Sequence, residues 1–276
     1  AAPPKPQPVP VRRDVTIVFD AHTASAATVA AAIADALPPK DYRVTTSDSD
    51  ALVAAVGGSR PAVVIAVGRA AIDSARARLP GTPIVFCHVF AYEDVLKDGG
   101  AIWGVHALPP PELQFRTWQT IDPTLRTIAV IMGEEHGALA AEAERAAASV
   151  NAEMRFETSH SDRETLYLFK RMATQVDGLW LLPDNRVLSP TVLRELLSYA
   201  AAHGVGVLAL NDSLLRLGAL ATATSVTTDI ADTVREVAER VAAGKTRDLP
   251  PMTSLHAAEL HVNLTVAAAL GLPRVT

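Results

Sequence analysis

The chain of 276 residues is long enough for one large domain or two smaller ones, and either could bury a full hydrophobic core. A net charge of −5 with no basic stripe disfavours nucleic-acid binding, and no apolar run approaches the roughly 18 residues of a membrane span. The single cysteine, Cys87, excludes an intramolecular disulfide framework. The chain does not open with a charged n-region and an apolar h-region, so we expect a mature exported chain or a cytosolic one.

The first 13 residues contain five prolines and little that could pack. Such a composition favours extended polyproline geometry, and residues 1–13 are therefore predicted to form a semi-rigid tether. A frayed terminus without a role is the alternative.

From Val15 onward, short apolar runs alternate with segments of helical composition. The predicted strands are Val15–Phe19, Arg43–Thr46, Ala62–Val67, Pro83–Val89 and Ile102–Val105, and the predicted helices are Ser25–Leu37, Ala51–Val56 and Ala70–Leu79. This alternation predicts a parallel sheet with helices on both faces, and residues 14–105 are predicted to form one lobe.

A second series of the same kind begins after three consecutive prolines at 109–111, which permit a helix to start at Glu112. The predicted strands are Thr127–Met132, Met154–Glu157, Leu179–Leu182, Val205–Leu210 and Ala219–Thr222, and the predicted helices are Glu112–Ile121, Ala138–Val150, Arg163–Gln175 and Ser189–Ala202. A helix Thr228–Ala243, a strand-like stretch Ser254–His261 and a helix Leu264–Leu270 complete the chain. The sequence thus predicts the same α/β architecture twice.

Polar residues follow two of the buried runs of the second series. The run Leu179–Leu182 is followed by Asp184 and Asn185, and the run Val205–Leu210 by Asn211 and Asp212. Ligands of open parallel sheets bind at the carboxyl ends of strands, near a topological switch point. We therefore expect these four side chains to lie where a ligand would bind.

Several short motifs, in their order and spacing, resemble one known family. They are Gly99-Gly100-Ala101-Ile102-Trp103-Gly104-Val105, Pro183-Asp184-Asn185, Asn211-Asp212-Ser213 with Gly218-Ala219-Leu220, and the end from Val262-Asn263-Leu264 to Leu270-Gly271-Leu272-Pro273. In these the chain resembles the substrate-binding proteins of bacterial ABC importers with the type I periplasmic-binding fold, in the branch with tryptophan- and tyrosine-binding members.

The resemblance implies two Rossmann-like lobes joined by three crossovers, with the ligand in a cleft between them. Lobe 1 would comprise residues 14–105 plus about 226–250, and lobe 2 would comprise 106–225 plus about 251–276. It also implies a periplasmic or cell-envelope location, membrane subunits of an ABC importer as partners, and a membrane tether at the N-terminus, as in a lipoprotein.

The chain departs from the family pattern at Arg69, at Arg186 and in the loop of residues 90–94. Both arginines follow predicted strands, and a guanidinium fork recognises a carboxylate or a phosphate with two parallel hydrogen bonds. If both point inward, the ligand is anionic or carries a carboxylate. The alternative is an ion pair across the cleft between an arginine and an acidic residue such as Glu93 or Asp94.

A free amino acid needs donors for its carboxylate and acceptors for its ammonium group. Thr23 and Ser25 before the first helix and the backbone at Gly68 are candidate donors, and Asp184 or Asp212 is the candidate acceptor. Helix capping is the alternative for Thr23, Ser25 and both aspartates.

Phe90 and Tyr92 are candidate ring partners for an aromatic ligand, whereas core packing explains Trp103 at least as well. No histidine pair has metal-ligand spacing, and the sequence contains no nucleophile elbow, phosphate loop or dinucleotide fingerprint. We therefore predict no metal, no cofactor and no enzymatic activity.

The predicted function is that of a solute-binding component of an ABC importer, for an amino acid or another small carboxylate-bearing solute, aromatic solutes included. The alternative is an envelope protein that keeps the fold but acts as a non-transport interaction or sensory module.

Overall fold

The computed structural model describes residues 12–52, 60–183 and 189–273, apart from the side chain of Glu135. By its internal contacts the chain divides into two units. The first unit comprises the residues up to Ala107 together with Thr227–Leu255, and the second comprises Leu108–Val226 and the residues from His256 onward. The chain therefore passes between the units three times. Among the described helices, none is long and apolar enough to cross a membrane.

The strands coincide closely with the apolar runs of the sequence. They are β1 (Arg13–Phe19), β2 (Tyr42–Asp48), β3 (Val63–Val67), β4 (Ile84–Cys87), β5 (Ile102–Val105), β6 (Thr127–Met132), β7 (Glu153–Thr158), β8 (Gly178–Leu181), β9 (Gly206–Ala209), β10 (Ala221–Ser225), β11 (Met252–Thr253) and β12 (Ala258–Val262).

The α-helices lie between these strands. They are α1 (Ala26–Ala36), α2 (Arg69–Arg78), α3 (Glu93–Lys97), α4 (Pro111–Ile121), α5 (Gly137–Ser149), α6 (Asp162–Met172), α7 (Pro190–Ala202), α8 (Thr227–Ala242) and α9 (Leu264–Ala269). Glu134–His136 and Asp212–Leu217 form short 3-10 helices.

The sheet of the first unit is parallel throughout, with the strand order β11-β5-β4-β3-β1-β2. All five residues of β3 are fully buried. Residues such as Ile65 face a core formed with α1 and α8, and residues such as Ala66 face a second core formed with α2. A strand that is covered on both faces must be apolar throughout, which is why β3 reads as a continuous apolar run.

The connections of this sheet leave β1 in opposite directions. The chain goes from β1 to β2 on one side, and β3, β4 and β5 then follow on the other side. The switch point therefore lies between the carboxyl ends of β1 and β3.

The sheet of the second unit has the order β12-β10-β9-β8-β6-β7 and is parallel except for the pair β10 and β12. On one face, α6 and α7 pack over it. Trp180 of β8 contacts the ring of Phe115 from α4 at 5.1 Å between centroids, and its Nε1 donates to Gln114 Oε1 at 2.9 Å. The buried indole thus has both a packing partner and a hydrogen-bond acceptor.

The structure differs from the sequence prediction where short elements occur. The loop after β4 contains α3, and the residues after β9 form a 3-10 helix. Of the predicted strand-like stretch Ser254–His261, residues 258–261 do lie in a strand, β12, which pairs with β10, whereas residues 254–257 do not. The short strand β11, which precedes this stretch and pairs with β5, was not predicted. Most of the predicted helix Ala51–Val56, and the tether 1–13 apart from its last two residues, lie outside the described residues.

Candidate functional site

Asp20 and Gly68 meet at the switch point of the first sheet. Asp20 follows β1, and its carboxylate accepts from His22 N at 2.9 Å and from Ala70 N at 3.4 Å. Gly68 has a φ of +93°, and a Cβ there would lie 2.7 Å from the Cβ of Asp20. A residue with a side chain would be both strained and overlapped at this position. The Gly68 N–H donates to Cys87 O at 3.0 Å.

A hydroxyl and an imidazole meet beside this switch point. Ser25 is the N-cap residue of α1, but its hydroxyl makes no cap bond and instead lies 2.8 Å from His88 Nε2. His88 follows β4 with a φ of +62°, a conformation that costs energy and is often found at functional sites. Burial lowers the pKa of His88, and the charge of Asp20 opposes that effect. The neutral imidazole can therefore donate or accept one hydrogen bond with Ser25.

Arg69, the first residue of α2, is held by Asp94 of α3. Its Nη1 and Nη2 donate to the two carboxylate oxygens at 2.9 and 2.7 Å, and Asp73 lies 3.8 Å from its Nε. The hydrogen bonds to Arg69 are the main reason that the pKa of Asp94 is lowered, and the same pair raises the pKa of Arg69. The guanidinium fork thus binds a carboxylate in the two-bond mode predicted for a ligand, and the carboxylate is supplied by the chain itself. An ion pair was the expected alternative to a ligand, but it was expected across the cleft, whereas Arg69 and Asp94 both belong to the first unit.

The candidate ring partners lie in the same strand-end region. Tyr92 makes an edge contact with His106 at 5.2 Å between centroids, and burial lowers the pKa of that imidazole. Phe90 is half-buried, as is Thr23, whose backbone oxygen accepts from Ala26 N at 3.0 Å. Cys87 is fully buried, and burial raises its pKa to about 12, as befits an unreactive thiol.

In the second unit, Asn211 and Asp212 are engaged with neighbouring residues. Asn211 caps the 3-10 helix by accepting from Ser213 N at 2.9 Å. Asp212 Oδ1 accepts from the hydroxyl of Thr222, and its Oδ2 lies 3.1 Å from His261 Nδ1. Capping was the alternative role considered for Asp212, but Asn211 caps this helix instead.

The remaining candidates, Asp184, Asn185 and Arg186, lie outside the described residues. Sequence reasoning did not propose Asp20, His88 or His261 as site residues. Asp20 directly follows a predicted strand and His88 lies near the end of another, and these positions could have identified them. His261 is near Asp212 only because β12 pairs with β10, so no local signal could have revealed it.

The described residues include no group of three or more side chains suited to a metal ion. What they offer is hydrogen bonding and one guanidinium fork, which suits recognition of a polar or anionic molecule.

Comparisons with known proteins identify the fold. No protein-family model matches the chain, and no curated protein sequence matches it. A ligand-free, open substrate-binding protein with adhesive properties from Clostridium difficile matches with a TM-score of 0.69 at 13% identity over 96% of each chain. An ABC domain in complex with L-Trp from Streptococcus pneumonia matches with a TM-score of 0.62 at 16% identity, over 95% of this chain and 96% of that chain. A periplasmic ribose ABC transporter from Conexibacter woesei matches with a TM-score of 0.57 at 14% identity, with the same coverage.

These matches extend over nearly the whole chain, and the two helix-flanked, mainly parallel sheets agree with them. The chain therefore has the two-lobed type I periplasmic-binding fold that its sequence resembles. At identities below about 25%, such a likeness establishes the fold, and function must be argued from the site.

Proposed function

We propose that the protein is a binding protein that delivers a small carboxylate-bearing solute, such as an amino acid, to an ABC importer in the cell envelope. The solute would contact the strand-end residues of the first unit, namely Thr23, Ser25, Gly68, Arg69, Phe90 and Tyr92, and those of the second, namely Asp184, Asn185, Arg186, Asn211 and Asp212. The protein would be no enzyme, and its N-terminal segment would tether it to the membrane.

The observation that carries this proposal is the position and geometry of Arg69. It stands at the carboxyl end of β3, next to the switch point, and its fork already holds a carboxylate with two parallel bonds. The pair is largely exposed, with 43% of the Arg69 side chain and 61% of the Asp94 side chain accessible. An exposed ion pair contributes little free energy, so a ligand carboxylate can replace that of Asp94 at small cost.

A thermal-shift screen against amino acids, small carboxylates, nucleosides and sugars tests the proposal. A ligand at a hundred times its dissociation constant stabilises the folded protein by about 2.7 kcal/mol, so carboxylate-bearing solutes should raise the melting temperature. Arg69→Ala should weaken their binding by about 1.5–3 kcal/mol, the usual worth of a hydrogen-bonded charge. Asp94→Ala should strengthen it, because the fork is then free.

Arg76 provides the matched control. It lies on the same helix, and its Nη1 and Nη2 contact Asp98 Oδ2 at 2.8 Å and Val95 O at 2.7 Å, but it is two turns further from the strand end. Arg76→Ala should leave solute binding unchanged. If only a sugar bound, and bound equally well to Arg69→Ala, the ligand would not be a carboxylate. The proposal that the chain is a solute-binding protein would then still stand.

The second candidate is a non-transport interaction or sensory module, and the Arg69–Asp94 ion pair also supports it. A fork that is occupied by the chain's own carboxylate would need no solute. If no compound stabilises the wild type, and Asp94→Ala gains no ligand either, this second function is favoured.

A further inference from the structure

Strand β7 forms one edge of the second sheet. In the described parts of the chain, β6 is the only strand that pairs with it. Its residues are exposed or half-buried, and Phe156 is 36% accessible. A recess of about 500 Å³ beside the strand is lined by Arg155, Phe156 and Glu157 and by Arg171 near the end of α6. Natural proteins commonly cover an edge strand with a helix or a loop, whereas no residue of β7 is fully buried.

The backbone hydrogen bonds show which groups of β7 face away from the sheet. Glu153 N donates to Arg126 O at 2.7 Å, and Ser159 N donates to Met132 O at 3.1 Å. Residues of odd number therefore turn their N–H and C=O groups toward β6. Because this direction alternates along a strand, Met154, Phe156 and Thr158 turn theirs away from it.

The sequence Glu-Met-Arg-Phe-Glu-Thr is complementary to itself in one antiparallel register. With Phe156 on a two-fold axis, Phe156 faces its own copy and Met154 faces Thr158, so that the outward groups form the hydrogen bonds. Arg155 then lies opposite Glu157 in both halves. These are non-hydrogen-bonded positions, where the side chains approach most closely.

Neighbouring registers are less favourable. An axis at Arg155 places that arginine opposite itself and Glu153 opposite Glu157, so like charges meet. An axis at Met154 pairs Glu153 with Arg155 but leaves Thr158 without a partner residue and places Phe156 opposite Ala152, which precedes the strand.

Strand β2, at one edge of the first sheet, lacks this property. Within β2, Arg43 shares its face of the sheet only with Thr45 and Ser47, which carry no charge. Its acidic partner is Asp14 of the neighbouring strand β1, at 3.4 Å. The alternating charges of β7 would repel most foreign strands yet attract a second copy. We propose that two copies of this chain associate through antiparallel pairing of β7 with β7, centred on Phe156, which joins their second sheets into one.

Sedimentation velocity over a concentration series tests this association, which does not depend on what the site binds. A pairing of five residues buries little surface, so we expect a weak dimer that forms only at high concentration. Arg155→Glu and Glu157→Arg should each weaken dimerisation by about tenfold or more, since two attractive pairs become repulsive. The double variant Arg155→Glu/Glu157→Arg should restore it, because the charges are exchanged and still complementary.

Arg43→Glu on β2 is the matched control and should dimerise like the wild type. Circular dichroism and the melting temperature of every variant report whether it folds. Hydrogen exchange provides a second readout, since the amides of Met154, Phe156 and Thr158 should become protected as concentration rises. A wild type that stays monomeric throughout, or single variants that dimerise unchanged, would overturn the proposal. Failure of the double variant to recover would overturn the register centred on Phe156.

Discussion

Gly68 shows how one residue shapes the candidate site. Its positive φ and the 2.7 Å distance from an added Cβ to the Cβ of Asp20 are two separate obstacles to any side chain. Its φ of +93° and ψ of 168° fall in a region essentially restricted to glycine. Gly68→Ala should therefore lower the free energy of unfolding by more than the cost of the strained backbone alone, which is about 1–3 kcal/mol. We expect a further loss of about 1–3 kcal/mol from overpacking, measured by urea denaturation.

Gly99 separates these two effects, because it has a φ of +71° but no atom within 4 Å of an added Cβ. Gly99→Ala should show the backbone cost alone. Equal losses in the two variants would mean that Asp20 moves aside freely, which contradicts the tight contact.

At this scale, the sequence predicted which loops could carry ligand contacts but not which contacts exist. Arg69 was expected at a strand end, and both a ligand and an acidic neighbour were open as its partner. The choice of Asp94 depends on α3, a helix too short for its periodicity to be recognised. The contact of Ser25 with His88 joins residues 63 positions apart, and no local pattern encodes it.

Among the elements, α6 illustrates a sequence signal for a helix start. The Ser161 hydroxyl accepts from Glu164 N at 3.2 Å, and the Glu164 carboxylate accepts from His160 N at 2.7 Å. In a capping box, the glutamate accepts from the backbone N–H of the N-cap residue, which here is Ser161. In α6 it accepts instead from the residue before the cap, His160. Ser161→Ala should lower the free energy of unfolding by about 1 kcal/mol, as measured by chemical denaturation.

Ser161→Thr keeps the hydroxyl and should retain most of that stability. If the alanine variant were as stable as the wild type, the cap bond would contribute nothing and the helix would depend on the packing of Leu168 and Phe169 alone.

Strands and long helices were predictable because their burial imposes a pattern. A strand covered on both faces, such as β3, must be an apolar run, and α8 shows an apolar face over 16 residues. The division of residues 252–262 between two sheets was not predictable in this way. Met252 pairs with Gly104 of β5, which lies 148 residues earlier in the chain, and no local pattern encodes that pairing.

For the whole molecule, the fold was predictable from sequence because one architecture is repeated along the chain. The matches to solved structures confirm the predicted fold. The identity of the ligand was not predictable in the same way. A shared fold conserves where strands end, whereas recognition depends on side chains such as Arg69 and His88 at those ends.

Two half-buried imidazoles of the first unit, His88 and His106, are expected to make the stability of the protein dependent on pH. Burial lowers the pKa of His88 and of His106 below the ordinary value of 6.5. As pH falls through about 6.5, the unfolded chain binds protons that the folded chain does not, so stability is full above this pH and decreases below it. We expect the melting temperature to fall between about pH 7.5 and about pH 5.5, a range above the titration of ordinary carboxylates. His88→Asn, which tolerates a positive φ, combined with His106→Gln should reduce this fall. The exposed His22 is the control, since His22→Gln should preserve it. An unchanged pH dependence in the double variant would show that other groups govern it.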